Sequence, residues 1–200
     1  MYVEIFMIRS EIDMKKTVVV TDSNSGITQK EAKELGISVL AMPFTIGDKE
    51  YFEDKTLTQE DFYEMLKSDE EIFTSQPSVA TVLELWDELL KEYDEIVHIP
   101  MSSGLSGSCQ TAMMLSEDYA DRVQVINNQR ISVTQKQSCF DAAQLIKAGK
   151  SAAEIKEKFY EKFGFYPEST SSYFLDAYTI NYIKERYPSV KCAVATCWEE

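Results

Sequence analysis

The Ser/Gly-rich stretch at residues 101–110, Met-Ser-Ser-Gly-Leu-Ser-Gly-Ser-Cys-Gln, most constrains what this chain can fold into. The apolar run at residues 95–100 before it is typical of a buried strand, and residues 111–115 after it are typical of the beginning of a helix. A strand that enters a helix through such a turn presents unpaired backbone N–H groups, and the helix dipole adds partial positive charge there. The stretch therefore predicts an anion-binding turn for a carboxylate or a phosphate. A polar loop whose serines only cap the helix is the alternative.

Five positions give this turn its binding capacity. Gly104 and Gly107 let a ligand approach the backbone closely. The hydroxyl groups of Ser102, Ser103 and Ser106 add donors that rotate to suit the ligand. The turn thus offers several neutral donors and no cation of its own.

The rest of the chain alternates between strand and helix patterns. Thr28 and Ser78 stand where helix N-caps are expected, and Glu31 follows Thr28 at the spacing of a capping box. The alternation predicts an α/β fold built on a parallel sheet. The predicted strands are residues 16–21, 37–46 with an interruption at Pro43, 95–100 and 122–127. The predicted helices are residues 28–35, 58–67, 79–93, 141–147 and 152–163.

Hydroxyl- or amide-rich turns follow three of the predicted strands. They are residues 22–25, 102–108 and 127–132. Because parallel α/β sheets bind ligands beyond the carboxyl ends of their strands, we expect these turns to border one crevice. Asp22 and Ser23 would shape it from the first turn, and Asn127 from the third.

The charge balance bounds the kinds of partner. The 200 residues carry 20 Lys and Arg against 34 Asp and Glu, a formal net charge of −14. That charge repels a phosphate backbone and an anionic lipid surface, so we expect no nucleic-acid partner. No run reaches the roughly 18 apolar residues that a membrane span needs, so no stable membrane insertion is expected. A small anionic ligand stays compatible with the sequence, because a few local donors outweigh the global field.

The four cysteines, Cys109, Cys139, Cys192 and Cys197, form no Cys-x-x-Cys pair. They show neither zinc spacing nor a disulfide framework, so we expect reduced thiols in a cytoplasmic protein. Asp22 has no second carboxylate placed to share a metal ion, and the glycine fingerprints of phosphate-binding loops are absent. The sequence therefore predicts no metal and no cofactor.

Three short motifs stand in order along the chain. They are Val20-Thr21-Asp22-Ser23, Thr74-Ser75-Gln76-Pro77-Ser78 and Ser102-Ser103-Gly104-Leu105-Ser106-Gly107. In sequence and spacing they resemble the DegV family of bacterial fatty-acid-binding proteins. The likeness runs from about residue 15 to residue 163, and the three motifs together are specific where any one alone is not.

The resemblance implies a carrier of long-chain fatty acids and not an enzyme, so no catalytic residue is expected. In the family a threonine of the second motif and a serine of the third hold the carboxylate, and these are Thr74 and Ser106 here. The acyl chain lies in an interior apolar tunnel, and the carrier presents the fatty acid to a separate fatty acid kinase. The residues expected to support the same site are Ser75, Ser102, Ser103, Gly104, Asp22 and Ser23.

The second half of the chain departs from the family pattern. Family members carry a longer second half with a Leu-Lys-Lys-Gly-Gly-Arg-like stretch, to which residues 172–179 and 182–187 are only faintly similar. The usual Asp-Ser after the third strand is replaced by Asn127 and Asn128. These departures predict a second α/β domain that is incomplete or abnormal.

The expected division of the chain has three parts. Residues 1–13 are an extension before Met14, residues 14–165 are the α/β ligand-binding domain, and residues 166–200 are the remnant of the second domain. A tunnel that lacks one wall exposes apolar surface, which favours self-association or association with a partner.

Two other function classes stay open on the residues alone. A serine hydrolase needs a base beside its nucleophile, but the one histidine, His98, lies inside an apolar strand and is expected to pack in the core. The Gly-x-Ser-x-Gly pentad of such enzymes is also missing. A phosphate- or anion-binding α/β protein is the other alternative.

Overall fold

The computed structural model describes residues 15–67 and 70–163 and the two strands Ser169–Ser172 and Cys192–Ala195. The chain divides into two compact units, which meet in sequence between Lys156 and Glu157. The expected extension at residues 1–13 and most of the expected remnant at 166–200 lie outside the described residues. The division at 165/166 therefore stays a prediction.

The first unit contains two sheets. Its strands are β1 (Thr17–Asp22), β2 (Ile37–Leu40), β3 (Pro43–Ile46), β4 (Lys49–Phe52), β5 (Ile72–Thr74), β6 (Glu95–Ile99) and β7 (Val123–Val125). The larger sheet is fully parallel, in the order β2-β1-β6-β7. β1 lies in its middle, where Val19 is paired with Ile37 of β2 and with Val97 of β6. The predicted α/β class with a parallel sheet is confirmed.

The described residues contain six α-helices. They are α1 (Gln29–Leu35), α2 (Gln59–Met65), α3 (Val79–Leu89), α4 (Ser108–Ser116), α5 (Ser132–Lys147) and α6 (Ala152–Phe163). The predicted N-caps are confirmed: Thr28 Oγ1 accepts from the backbone N–H of Glu31 at 3.1 Å, and Ser78 Oγ accepts from that of Thr81 at 3.1 Å. In the described part of the chain, no helix is long and apolar enough to cross a bilayer.

The hydrophobic core lies between the parallel sheet and the helices α3 and α4. Val18 and Val20 of β1 point into it, and Trp86 of α3 is fully buried there. The Trp86 ring meets the ring of His98 edge-on, with 5.5 Å between the ring centres. Cys109 and Ala112 of α4 lie in the same core, which holds the start of this helix, directly after the Ser/Gly-rich turn, against the sheet.

The predicted strand region at residues 37–46, with its interruption at Pro43, consists of two strands that belong to different sheets. Ile37–Leu40 joins the parallel sheet, whereas Pro43–Ile46 is the middle strand of an antiparallel sheet in the order β4-β3-β5. The chain leaves the first sheet at Met42, whose N–H donates to Ser23 Oγ at 3.1 Å instead of to a neighbouring strand. Pro43 follows and has no N–H to continue the ladder.

The helix predicted at residues 141–147 is also longer than expected. It begins nine residues earlier, as α5 (Ser132–Lys147). Its first half buries Gln135 and Ser138, which are polar, so an apolar periodicity does not mark it in the sequence. The sequence also does not predict the strand β5 (Ile72–Thr74), which ends at the first residue of the second motif.

Candidate functional site

A cleft of about 690 Å³ lies in the first unit, between the polar turns of the parallel sheet and the small antiparallel sheet. Its apolar lining consists of Ile27, Met42, Pro43, Phe44, Leu57, Phe62, Ile72, Met101 and Leu105. Its polar lining includes Ser23, Asn24, Thr28, Thr58, Tyr63, Thr74, Ser75, Gln76, Ser106, Glu53 and Asp54. The cleft thus combines these nine apolar residues, its apolar wall, with seven residues that carry a hydroxyl group.

Four of the eight predicted site residues line this cleft. They are Thr74, Ser106, Ser75 and Ser23. Thr74 and Ser75 are exposed, Ser106 is half-buried and Ser23 is buried. The other four do not line the cleft: Asp22, Ser102, Ser103 and Gly104. Their hydrogen bonds lie within and between the turns next to it.

Ser102 and Gly104 shape the turn that carries Ser106. The backbone N–H of Ser106 donates to the carbonyl oxygen of Ser102 at 3.1 Å, and the N–H of Gly104 donates to Ser102 Oγ at 3.2 Å. The N–H of Ser108, the first residue of α4, donates to Ser106 Oγ at 3.2 Å. Because Ser106 Oγ accepts that bond, its own O–H proton is left to donate to a ligand.

Ser103 and Asn127 hold the second and third turns together. Asn127 Nδ2 donates to Ser103 Oγ at 2.8 Å, and the backbone N–H of Ser102 donates to the carbonyl oxygen of Arg130 at 2.8 Å. The turns at the ends of β6 and β7 are therefore joined, as the sequence predicts for turns at one edge of a parallel sheet. The residues that join the two turns do not line the cleft themselves.

Asp22 fixes the beginning of the Ser/Gly-rich turn. Its Oδ2 accepts from the backbone N–H of Met101 at 2.7 Å, and its Oδ1 accepts from the N–H of Asn24 at 3.1 Å and from Gln135 Nε2 at 3.1 Å. Burial raises the pKa of this carboxyl group, and the three hydrogen bonds oppose that rise. Asp22 thus has a structural role in the turn.

Gln135 was not expected at the site from the sequence. It is fully buried on α5, and its Nε2 donates to Thr21 Oγ1 at 3.0 Å and to the carbonyl oxygen of Ile99 at 3.2 Å, besides Asp22. It therefore ties the carboxyl ends of β1 and β6 to one helix. A single buried glutamine leaves no pattern in a sequence that would reveal this role.

Gln76 links the segment that carries Thr74 to helix α4. Thr74 ends β5, paired with Phe44 of β3, and the hydroxyl of Thr111 donates to Gln76 Oε1 at 3.4 Å. Gln76 lies within the second sequence motif, two residues after Thr74, which is the one signal that pointed to it. The two hydroxyl-bearing segments of the cleft are thereby held to each other.

Aromatic rings form much of the apolar wall. Phe62 of α2 meets Phe44 of β3 edge-on with ring centres 5.4 Å apart, and Tyr51 stacks on Phe44 at 5.8 Å. The charged residues in the described lining are Glu53 and Asp54, and no Lys, Arg or His is among them. The described lining residues therefore offer a carboxylate only neutral donors.

The arrangement does not support a nucleophilic site. His98 is 2% exposed, and burial lowers its pKa to about 3. Within the described residues, neither of its ring nitrogens has a hydrogen-bond partner, so it activates no serine. Cys109 at the start of α4 is also buried, and burial raises the pKa of its thiol to about 11.

The described residues contain no group of three His, Cys, Asp or Glu side chains that could hold a metal ion.

Comparison with known proteins places this fold in a family. A family model described as "Uncharacterised protein, DegV family" matches residues 16–175. A DegV domain-containing protein of Staphylococcus aureus strain N315 is 33% identical over 145 residues, which cover 72% of this chain and 52% of that protein. A DegV domain-containing protein of Halalkalibacterium halodurans is 35% identical over 140 residues, which cover 68% of this chain and 49% of the relative.

Solved structures give the same result. The chain is similar to the crystal structure of DegV, a fatty acid binding protein from Bacillus subtilis, with a TM-score of 0.67 and 29% identity, over 74% of this chain and 54% of that one. It is also similar to a fatty acid binding DegV family protein from Streptococcus agalactiae, with a TM-score of 0.66 and 26% identity, over 74% and 54% of the two chains. This chain spans about half the length of the relatives that it matches. By its motifs, its fold and these matches, the chain belongs to the DegV family.

Proposed function

We propose that this chain binds a long-chain fatty acid, with the carboxylate at the hydroxyls of Thr74 and Ser106 and the acyl chain along the apolar wall of the cleft. One observation carries the proposal. Thr74, at the end of β5, and Ser106, in the turn after β6, lie 32 positions apart in the sequence, yet both line one cleft together with nine apolar residues. That is the combination that an amphiphile with a small polar head requires.

The head group would be held without a formal positive charge. Hydrogen bonds to a carboxylate contribute about 1.5–3 kcal/mol each, so two hydroxyls suffice to orient it. Ser75 and Ser23 line the same cleft and can add to them. Ser102, Ser103, Gly104 and Asp22 support the site from behind, because they shape the turn that carries Ser106.

The acyl chain would supply most of the affinity. Each buried methylene contributes about 0.8 kcal/mol, so the tail outweighs the head group. A methylene takes roughly the volume of a water molecule in the liquid, about 30 Å³, so a chain of about 18 carbons needs roughly 540 Å³. The cleft of about 690 Å³ has room for it. The edge-on pair of Phe44 and Phe62 gives the chain an apolar surface.

The relatives support this class of ligand. The similar proteins from Bacillus subtilis and Streptococcus agalactiae are described as fatty acid binding, and each shares more than a quarter of its aligned residues with this chain. A binding role is further supported by the partners of Ser102, Ser103 and Ser106 among the described residues, because the hydrogen bonds to their hydroxyls come from backbone N–H groups and the Asn127 amide and not from a general base. We therefore propose a carrier and not an enzyme.

A carrier needs a partner to receive its cargo. We propose that this chain presents the fatty acid to a fatty acid kinase in the cytoplasm, where the free, buried thiols of Cys109 and Cys139 stay reduced. Leu105 lines the cleft and is 63% exposed, so part of the apolar wall is accessible. We propose that this accessible wall takes part in association, either with the kinase or with a second copy of the chain.

Native mass spectrometry of the purified protein, followed by lipid extraction, tests the proposal. We expect a bound fatty acid of about 14–18 carbons, and its loss from a Thr74→Val/Ser106→Ala double variant. Thr45→Val is the matched control, because Thr45 lies on β3 next to Phe44 but outside the cleft lining. A folded wild-type protein that neither carries a fatty acid nor binds added palmitate would overturn the proposal.

A further inference from the structure

A second, much smaller cavity lies behind the turn that carries Ser106. Its volume is about 10 Å³, which is about the space that one water molecule needs and too little for a carboxylate or a phosphate. Part of its wall is apolar, and Met42 separates it from the large cleft because this side chain lines both. The polar residues in its lining are Asp22, His98, Ser108 and Thr111.

Two of these polar side chains lack a hydrogen-bond partner. His98 is 2% exposed, and within the described residues neither Nδ1 nor Nε2 is bonded. Ser108 Oγ is likewise buried and without a partner there. Buried polar atoms are rarely left unpaired in folded proteins, so a pair of them around one small cavity points to a ligand between them.

The other two polar residues are already engaged. Both carboxylate oxygens of Asp22 accept hydrogen bonds, from Met101, Asn24 and Gln135. Thr111 Oγ1 donates to Gln76. The ligand must therefore satisfy an imidazole nitrogen and a hydroxyl, both of them neutral. The low pKa of His98, about 3, means that the imidazole is uncharged at neutral pH.

The positions of His98 and Ser108 in the chain give the site a role. His98 lies on β6, three residues before Met101, and Ser108 is the first residue of α4. Only Pro100 and residues 101–107, the turn that carries Ser106, lie between β6 and α4 in the sequence. A bridge between His98 and Ser108 would thus close this turn at its base, and Ser108 also donates its N–H to Ser106 Oγ.

We propose that one buried water molecule bridges His98 and Ser108 and holds the Ser106 turn in its binding conformation. A water donates to one imidazole nitrogen and exchanges a second hydrogen bond with Ser108 Oγ, which pairs groups that otherwise stay unpaired. The water is a positioning group in the fatty-acid site, and this part of the inference rests on the proposed function. The bridge itself does not depend on the ligand.

A crystal structure at a resolution that shows ordered water tests the bridge directly. We expect a density peak within hydrogen-bond distance of Ser108 Oγ and of one ring nitrogen of His98, and its absence from the structure of a Ser108→Ala variant. A well-ordered wild-type structure without that peak would overturn the inference. This result is independent of whether the protein binds a fatty acid.

The positioning role is tested by palmitate affinity. We expect Ser108→Ala to weaken palmitate binding by about three- to tenfold, the factor of one ordinary hydrogen bond. Ser116→Ala is the matched control, because Ser116 ends the same helix and donates to the carbonyl oxygen of Met113 instead. Equal affinities of the two variants would overturn the role. If wild type does not bind palmitate, the proposed function fails and the density peak alone decides the bridge.

A spectroscopic readout guards against a variant that does not fold. The ¹⁵N chemical shifts of His98 in the wild-type protein report whether each ring nitrogen is hydrogen-bonded. We expect a neutral imidazole with a bonded acceptor nitrogen. Shifts of an imidazole that is free of hydrogen bonds at both nitrogens would overturn the bridge without any substitution.

Discussion

The absence of a side chain at Gly107 makes room for the side chain of Gln76. A methyl group on Gly107 would lie 3.2 Å from Gln76 Oε1, closer than such contacts usually are. The same oxygen accepts the hydrogen bond from Thr111 of α4. Gly107 thus permits the contact by which the segment with Thr74 and the helix behind Ser106 are held together.

We expect Gly107→Ala to weaken fatty-acid binding and to leave the free energy of unfolding nearly unchanged. Gly107 has φ −69° and ψ −11°, a conformation that alanine adopts readily, so the backbone is not strained. The added methyl group instead displaces the exposed, flexible side chain of Gln76 and loosens the Thr74 segment. Isothermal titration with palmitate should show a loss of about threefold to tenfold, the factor of one hydrogen bond.

Gly36→Ala is the control with the opposite expected profile. Gly36 follows α1 with φ +66°, and no atom lies within 4 Å of the position that its Cβ would take. Alanine is strained there, so we expect about 1 kcal/mol lower stability with unchanged palmitate affinity. If Gly107→Ala binds palmitate as wild type does, or if Gln76→Ala has no effect on affinity, the link through Gln76 is unimportant for the site.

The buried amide of Gln135 gives a second prediction. Gln135→Leu removes the donor that serves Thr21, Asp22 and the carbonyl oxygen of Ile99, so each of these three buried oxygens loses one hydrogen bond. We expect the free energy of unfolding to fall by about 1–3 kcal/mol, measured by urea denaturation. Gln137→Leu is the control two residues along α5, where the exposed amide donates only to Asp141. A difference below about 0.5 kcal/mol between the two variants would contradict this role.

The buried imidazole of His98 makes stability depend on pH in a defined window. Its pKa is about 3 in the folded protein against about 6.5 in an unfolded chain, so the unfolded state binds the extra proton between these values. The free energy of unfolding therefore falls as the pH falls from about 6.5 towards 3, with a limiting slope of about 1.4 kcal/mol per pH unit. Urea denaturation at a series of pH values measures this slope.

The contribution of His98 is isolated by comparison with His98→Phe, which keeps an aromatic ring against Trp86. Acidic side chains also contribute to the pH dependence, among them Asp22, whose pKa burial raises. Their contributions are common to both proteins and cancel in the difference. We expect the variant to lose less stability than wild type between pH 6.5 and pH 4. Parallel stability curves over that range would show that His98 is not buried in its neutral form.

The features that the sequence predicted correctly are local. Thr28 and Glu31 mark a helix start because capping acts over three residues, and the strand at β6 is a run of buried apolar residues. The Ser/Gly-rich turn between β6 and α4 follows from the same local pattern. The joining of this turn to Asn127 followed from one general rule, that parallel strands end at a common edge.

The features that could not be predicted from the sequence depend on contacts between distant residues. The strand at residues 37–46 splits because Ser23 takes the N–H of Met42, a bond across 19 positions. Gln135 reaches Asp22 across 113 positions, so nothing near it in the sequence marks it as buried. The shared site of Thr74 and Ser106 was expected from the family resemblance alone. The antiparallel sheet that carries Thr74 was not predicted, because its strand β5 is only three residues long.

The lack of a cationic side chain in the described cleft lining gives a last prediction, on the effect of salt. Because the described lining contains Glu53 and Asp54 but no cation, and the chain carries a net charge of −14, the protein's own field repels an incoming carboxylate. Salt screens that repulsion, so we expect palmitate affinity to stay constant or to rise when NaCl increases from about 50 mM to about 500 mM. A head group held by an arginine or a lysine would show the reverse.

Hexadecanol provides the control for this measurement. It has the same tail as palmitate and no charge, so the salt dependence of its binding reports only the effect of salt on burial of the tail. The difference between the two ligands isolates the head group. If palmitate affinity falls several-fold with salt while hexadecanol affinity does not, a cation holds the carboxylate, and the two-hydroxyl site at Thr74 and Ser106 is incomplete as an account of head-group binding.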